Sequence, residues 1–153
     1  MNMVKRTWAE ISLNAIEHNY NVIRNKVADD TKVCCVIKAD GYGHGAVELS
    51  QIYEKLGADF FAVSNIDEGI EIRKNGSKLP IVILGYTPVS EAENLAEYDI
   101  SQAVFSLEYA KELSEKCVEE DCICKMHIKV DSGMSRIGFM CQEFPRDEYS
   151  IEE

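Results

Sequence analysis

Residues 33–45 read VCCVIKADGYGHG, and this stretch indicates the fold class. Residues 33–37 are apolar or small and rich in β-branched side chains, which is typical of a buried strand. Lys38 stands where that strand should surface, and a loop containing Gly41, Gly43 and Gly45 follows. In parallel α/β proteins, ligands bind at the carboxyl ends of the strands. The stretch therefore predicts an α/β fold with Lys38 at the ligand-binding edge.

A lysine at such an edge is a candidate for covalent chemistry with a carbonyl group. A partly desolvated amine loses its proton more readily, and amines form imines with pyridoxal phosphate. Asp40 and His44, which are interleaved with the glycines, are expected to be turn or supporting residues. The alternative interpretation is a solvated Lys38 before a flexible turn, and the stretch alone leaves both open.

Strand and helix patterns alternate along the rest of the chain. The strands are predicted at residues 33–37, 59–63, 81–84, 100–105 and 123–130. Helices are predicted at residues 46–56, 66–74, 91–98 and 107–117, the second of them capped by Ser64 or Asn65. The alternation predicts parallel strands with helices outside, in either an open doubly wound sheet or a (β/α)8 barrel. No GxGxxG follows the first strand, which disfavours a nucleotide-binding version.

The two ends of the chain carry weaker patterns. Residues 8–13, WAEISL, alternate apolar and polar side chains and predict a short strand. Asn14 is the expected N-cap of a helix that runs to about residue 27. Residues 144–153, FPRDEYSIEE, predict the start of another helix with Pro145 in its first turn.

Composition restricts the possible partners and location. The 153-residue chain has 16 basic and 27 acidic groups, a net charge of −11, and lacks the basic stripe that nucleic-acid binding requires. Neither a membrane span nor a signal peptide is indicated, so we expect a cytoplasmic protein. The six cysteines, at positions 34, 35, 117, 122, 124 and 141, are expected to be reduced and without function. Cys122 and Cys124 lack the partners of a zinc pattern, so no metal site is predicted.

The last predicted strand carries a second group of polar residues. His127, Lys129 and Asp131 alternate and so should share one face, and a turn at residues 132–133 delivers Arg136. One interpretation is a structural ion pair between Asp131 and Lys129 or Arg136; the other is a binding site.

Three motifs together resemble the alanine racemases, the fold type III enzymes that use pyridoxal phosphate. They are RTWAEISLNAI at residues 6–16, VIKADGYGHG at residues 36–45 and KVDSGMSRIGF at residues 129–139. The resemblance implies a partial (β/α)8 TIM-type barrel of about five βα units. It also implies that residues 1–153 form a truncated N-terminal portion of the barrel domain, without the family's C-terminal β-domain.

The resemblance further implies a function: interconversion of L- and D-alanine for peptidoglycan precursors, by a homodimer when full length. Lys38 would carry the cofactor and act as base or acid on one face of the substrate. Tyr42 and Leu84 would contact the cofactor, and Arg136 would contact both cofactor and substrate carboxylate. Lys129 matches a lysine that is often carbamylated. The opposite base is a tyrosine of the family's C-terminal β-domain, so the present chain alone should be inactive.

Other functions stay open at this point. A serine/alanine racemase domain of the vancomycin-resistance type has the same motifs. A non-catalytic pyridoxal-phosphate-binding protein also needs a lysine at a strand end, although the motif at residues 129–139 argues against it. A fragment without any ligand is the third alternative. Asp67, Glu68 and Glu71 are interpreted as a solvated acidic helix face.

Overall fold

The sheet consists of five parallel strands in sequence order. A computed structural model describes residues 7–141, and in it each strand pairs with the next one along the chain. The strands are β1 Cys34–Val36, β2 Phe60–Val63, β3 Ile81–Ile83, β4 Ile100–Val104 and β5 Met126–Ile128. In a doubly wound sheet the strand order reverses at a switch point, whereas here it never does. The predicted α/β fold is confirmed, in the arrangement of a partial barrel.

Five helices connect or precede these strands. They are α1 Leu13–Arg24, α2 Ala46–Lys55, α3 Ile66–Lys74, α4 Ala92–Glu97 and α5 Leu107–Glu119, with a 3₁₀ turn at Val89–Glu91 before α4. The Asn65 side chain caps α3 by accepting a hydrogen bond from the Glu68 amide. Of the two predicted caps, Ser64 and Asn65, the second is therefore confirmed. Among the helices of residues 7–141, none has both the length and the hydrophobicity needed to span a bilayer.

One apolar core joins the sheet to the helices. Phe61, Ile81 and Ile100 lie side by side in register on three neighbouring strands, and each is almost fully buried. Leu95 of α4 and Leu113 of α5 belong to the same cluster. Within residues 7–141, β1 and β5 each pair on one side only. On β5, Ile128 is 74% exposed, in agreement with the unpaired edges and exposed apolar surface expected of a partial barrel.

The predicted strand at residues 8–13 is wrong. Residues 7–12 have no regular secondary structure, and Trp8 is 73% exposed, so the alternating pattern has no sheet against which to pack. The helix begins at Leu13, because the Ser12 side chain accepts a hydrogen bond from the Ala15 amide. Ser12 rather than Asn14 is therefore the N-cap, and the helix ends at Arg24, before residue 27.

The last predicted strand is divided in two. β5 ends at Ile128, and a separate strand β6, Val130–Asp131, pairs in parallel with β7, Phe139–Met140. Gly138 makes this pairing close: a Cβ there would lie 2.9 Å from both the Lys129 carbonyl oxygen and the Asp131 nitrogen. Sequence periodicity continues across the break, which is why one strand was predicted. The helix predicted to begin near Pro145 lies outside the described residues.

The two candidate caps of α1 can be separated by mutation. Ser12→Ala removes the acceptor for the Ala15 amide and should lower the free energy of unfolding by about 0.5–2 kcal/mol. Asn14→Ala is the matched control, since Asn14 lies inside the helix, where alanine is the better helix former. Urea unfolding monitored by circular dichroism gives both values. A larger loss for Asn14→Ala than for Ser12→Ala would contradict the observed cap.

Candidate active site

Lys38 begins a short left-handed turn directly after β1. The four following residues, 39–42, have φ between 50° and 60° and ψ between 36° and 52°. Of these, only Gly41 adopts such angles without steric cost, and for other residues the cost is about 1–2 kcal/mol each. Where the sequence predicted a glycine-rich loop, the structure therefore has a tight turn with a strained backbone.

Hydrogen bonds from two neighbouring segments hold this turn. The Gly41 amide donates to the Ile37 carbonyl oxygen at 3.0 Å, and the Asp40 carboxylate accepts from the Ala46 amide at 2.8 Å. The second bond also provides an acceptor for the first amide of α2. The N-cap residue, Gly45, has no side chain that could accept a hydrogen bond. The predicted turn role of Asp40 is confirmed.

Glu68 is a site residue that the sequence analysis missed. Its carboxylate accepts hydrogen bonds from the Ala39 amide at 2.9 Å and from the Ser64 amide at 2.8 Å. It thus ties the residue after Lys38 to the end of β2, so the predicted solvated role is wrong for Glu68. The available signal was the Asn65-x-x-Glu68 spacing of a capping box, in which the acidic side chain turns back toward the helix start.

Three cationic side chains converge at the carboxyl edge of the sheet. The ammonium of Lys129, which follows β5, donates a hydrogen bond to the Leu84 carbonyl oxygen at 2.8 Å. Burial lowers the pKa of Lys129, and the positive charges of Arg136 and Lys38 lower it further, against the opposing effect of Asp131. The parallel strand order places Lys38 and Lys129, from the start and the end of the sheet, at the same edge, near enough for their charges to interact.

Asp131 holds the loop that carries Arg136. Its carboxylate accepts hydrogen bonds from the amides of Gly133, Ser135 and Arg136, each at 2.9 Å. These bonds lower the pKa of Asp131, so the carboxylate is the favoured form. Among the residues that the structure describes, no ion pair joins Asp131 to Lys129 or Arg136. Asp131 thus shapes the backbone rather than neutralising a charge.

The remaining predicted residues divide between the two ends of the sheet. Leu84 follows β3 at the same edge as Lys38, and Tyr42 projects from the left-handed turn with 60% of its surface exposed. His127 lies elsewhere, lining a cavity of about 320 Å³ together with Asp59 and Pro80, which precede β2 and β3. The structure therefore separates His127 from the site, although it alternates with Lys129 along the chain.

The two cysteines of the β1 segment do not supply a nucleophile. Burial raises the pKa of Cys34, and that of Cys35 to about 12, so both remain thiols at neutral pH. Cys35 belongs to the apolar core cluster. Neither cysteine is therefore an alternative to Lys38 as the candidate reactive group at this strand end.

Comparisons with known proteins place this chain in a family. The family model described as "Alanine racemase, N-terminal domain" matches residues 11–150. The chain belongs to the alanine racemase family. The "Alanine racemase 1" of Clostridium acetobutylicum is 43% identical over 140 residues, a span that covers 92% of this chain and 36% of the relative.

Solved structures of alanine racemases have the same fold. The alanine racemase of Clostridium difficile 630 in complex with cycloserine is 44% identical, with a TM-score of 0.88, and the match covers 99% of this chain and 40% of that one. A histidine racemase from Leuconostoc mesenteroides subsp. sake is 30% identical, with a TM-score of 0.78 over 84% of this chain and 34% of that one. The chain spans 35% or 36% of the length of the first curated relatives it matches.

The bridging role of Glu68 in this family member can be tested against a neighbour on the same helix. Glu68→Ala leaves the Ser64 and Ala39 amides without their acceptor and should lower the free energy of unfolding by about 1–3 kcal/mol. Glu71→Ala, at an exposed position of α3, should change it by less than about 0.5 kcal/mol. Chemical denaturation of both variants provides the comparison. Equal effects would mean that the Glu68 bridge does not stabilise the fold.

Proposed function

We propose that this chain is part of a pyridoxal-phosphate-dependent alanine racemase that interconverts L- and D-alanine. The observation that carries the proposal is the position of Lys38, Leu84 and Lys129 after three parallel strands at the carboxyl edge of the sheet, where Lys129 donates a hydrogen bond to the Leu84 carbonyl oxygen. Parallel α/β proteins bind ligands at this edge. The family membership of the chain supplies the reaction class.

The charges of the site fit the cofactor. Pyridoxal phosphate carries a phosphate and a phenolic oxygen. In the site, burial lowers the pKa of Lys129, and the positive charges of Arg136 and Lys38 lower it further. An anionic ligand would neutralise these positive charges. When bound, the cofactor supplies a conjugated ring that accepts the electrons left by removal of the substrate α-proton.

Lys38 is the residue proposed to carry the cofactor and to move a proton. Its amine would hold the cofactor through the aldehyde carbon, with the aldehyde oxygen leaving as water, and the free amine would take or return the substrate α-proton on one face. The left-handed turn fixes the backbone next to Lys38, which limits the positions that the amine can occupy. The Tyr42 hydroxyl would donate a hydrogen bond to the phosphate, and Leu84 would pack beside the cofactor ring.

Arg136 is proposed to orient both cofactor and substrate. A guanidinium has a planar set of donors that matches a carboxylate, so it would bind the substrate carboxylate and the phenolic oxygen. The three amide hydrogen bonds to Asp131 fix the loop from which the side chain projects. Arg136 itself is exposed and therefore accessible to a ligand.

Lys129 is proposed to be carbamylated. Its lowered pKa increases the neutral fraction of the amine, which is the form that attacks carbon dioxide. The new N–C bond forms as the amine releases one proton, and the product is an anionic carbamate. That anion would attract the guanidinium of Arg136, where an ammonium repels it.

The architecture of the complete protein follows from the same family membership. We propose that residues 1–153 form the first part of the barrel domain and that further barrel strands pair with the open edge of β5. A C-terminal β-domain would contribute the opposite catalytic base across a homodimer. The protein would act in the cytoplasm, in the supply of D-alanine for the cell wall.

The test of function uses the complete gene product that carries this chain. Purified with pyridoxal phosphate, it should racemise alanine, with lower kcat/KM for serine and histidine. Lys38→Ala should lower kcat at least about 10²–10⁴-fold, the usual contribution of a positioned acid or base. It should also abolish borohydride-stable cofactor labelling. Lys111→Ala, on the exposed face of α5, is the matched control. Labelling that persists in Lys38→Ala would refute Lys38 as the residue that carries the cofactor. A higher kcat/KM for serine or histidine than for alanine would refute alanine as the substrate.

The modification of Lys129 has its own spectroscopic test. In ¹³C-bicarbonate, the protein should show one carbamate carbon resonance that grows as pH rises, because only the neutral amine reacts. Lys129→Ala should lose this resonance. Lys125→Ala, an exposed lysine paired with Asp99, should retain it. The assignment fails if the resonance is unchanged in Lys129→Ala.

A further inference from the structure

Three cysteines that are not adjacent in sequence form one partly buried cluster that packs against the apolar core. Cys117 lies near the end of α5, and Cys122 and Cys124 lie in the connection from α5 to β5. Their sulfur atoms all lie within 4.8 Å of one another. This cluster belongs to the helix layer and is not among the residues placed in the active site.

The backbone that carries the cluster is held by hydrogen bonds. The Cys122 amide donates to the Cys117 carbonyl oxygen at 3.0 Å, across a tight reversal in which Asp121 has a φ of 49°. The Cys124 thiol donates to the Ala92 carbonyl oxygen at 3.3 Å, which places it beside α4, and it gives up this hydrogen bond when it binds the ion as a thiolate. The site therefore needs little ordering before it binds a ligand.

The spacing of the sulfurs suits one shared metal ion. Zn²⁺ binds thiolates at about 2.3 Å with tetrahedral angles, which places two bound sulfurs about 3.8 Å apart. Sulfurs within 4.8 Å of one another reach that spacing by small side-chain adjustments. All three residues are also partly exposed, so water can occupy a fourth position.

We propose that Cys117, Cys122 and Cys124 form a site for one thiophilic d¹⁰ metal ion, with Zn²⁺ as the ion and water as its fourth ligand. Each cysteine loses its thiol proton as its sulfur binds the ion, so no oxidant or reductant is needed. Thiolates are the soft ligands that select such ions. The bound ion would fasten the end of α5 to the segment that leads into β5, and so would set the position of the strand before Lys129.

The spacing explains why the sequence did not reveal this site. The pattern is C-x₄-C-x-C, which differs from the C-x₂-C pairs of common zinc motifs. Only the tight reversal after α5 returns the chain so that Cys122 and Cys124 meet Cys117. The six cysteines were accordingly expected to lack function, and the proposal reverses that expectation for three of them.

The experiment measures Zn²⁺ binding by the complete gene product, fully reduced and with its thiols counted. We expect one Zn²⁺ per chain after dialysis, and a higher melting temperature with the ion than after chelation. Cys122→Ser and Cys124→Ser should each weaken binding by more than the roughly 10- to 100-fold caused by loss of an outer-shell partner. Cys141→Ser, an exposed cysteine elsewhere in the chain, should bind like wild type. Co²⁺ should give thiolate charge-transfer absorption that both cluster variants lose.

Three outcomes would overturn the proposal. They are failure of the reduced wild type to retain Zn²⁺, retention equal to wild type in Cys122→Ser, and loss of binding in Cys141→Ser. If the purified protein contains a disulfide within the cluster, it is reduced first. Failure to bind Zn²⁺ after that reduction counts as the first outcome. If Cys124→Ser does not fold, as judged by circular dichroism, Cys122→Ser decides the question.

Discussion

Each strand of the sheet pairs in parallel with the strand that follows it in sequence, and this pairing determines where the reactive groups can lie. Every strand then ends at the same edge, so residues that follow β1, β3 and β5 become neighbours although about 90 positions separate the first from the last. Lys38, Leu84 and Lys129 are those residues. The hydrogen bond from Lys129 to the Leu84 carbonyl oxygen is a direct result of this convergence.

The convergence has an electrostatic cost that is itself informative. Lys38, Lys129 and Arg136 repel one another, and burial together with this repulsion lowers the pKa of Lys129. The negative charge of Asp131 opposes this lowering without reversing it, and the oxygens of its carboxylate bind backbone amides rather than the side chain of Lys129 or Arg136. Positive charge left uncompensated by the protein attracts an anion, and carbamylation of Lys129 would convert one of the repelling cations into such an anion.

The sequence predicted those features that depend on local patterns. Strand and helix alternation, the Asn65 cap and the place of Lys38 at a strand end all follow from periodicity or short motifs. The errors arose where tertiary contacts decide. Residues 8–13 alternate but have no sheet to pack against, and the strand predicted at residues 123–130 is divided because β6 pairs with β7 instead of continuing β5. Glu68 binds amides on two other segments. The cluster of Cys117, Cys122 and Cys124 likewise exists only after a turn folds the chain back.

The left-handed turn after Lys38 shows how the fold maintains a strained site. Ala39, Asp40 and Tyr42 each cost about 1–2 kcal/mol in this conformation, or roughly 3–6 kcal/mol together. The bonds from the Ala39 and Ala46 amides to the carboxylates of Glu68 and Asp40 are charge-assisted, and such bonds contribute about 1.5–3 kcal/mol each. Cost and gain are thus of similar size. Because the acceptor Glu68 lies on α3 and the donor Ala46 on α2, the turn cannot relax unless one of these helices moves. These bonds therefore hold the backbone next to Lys38, and in the proposed reaction a fixed backbone would keep the amine within reach of the substrate.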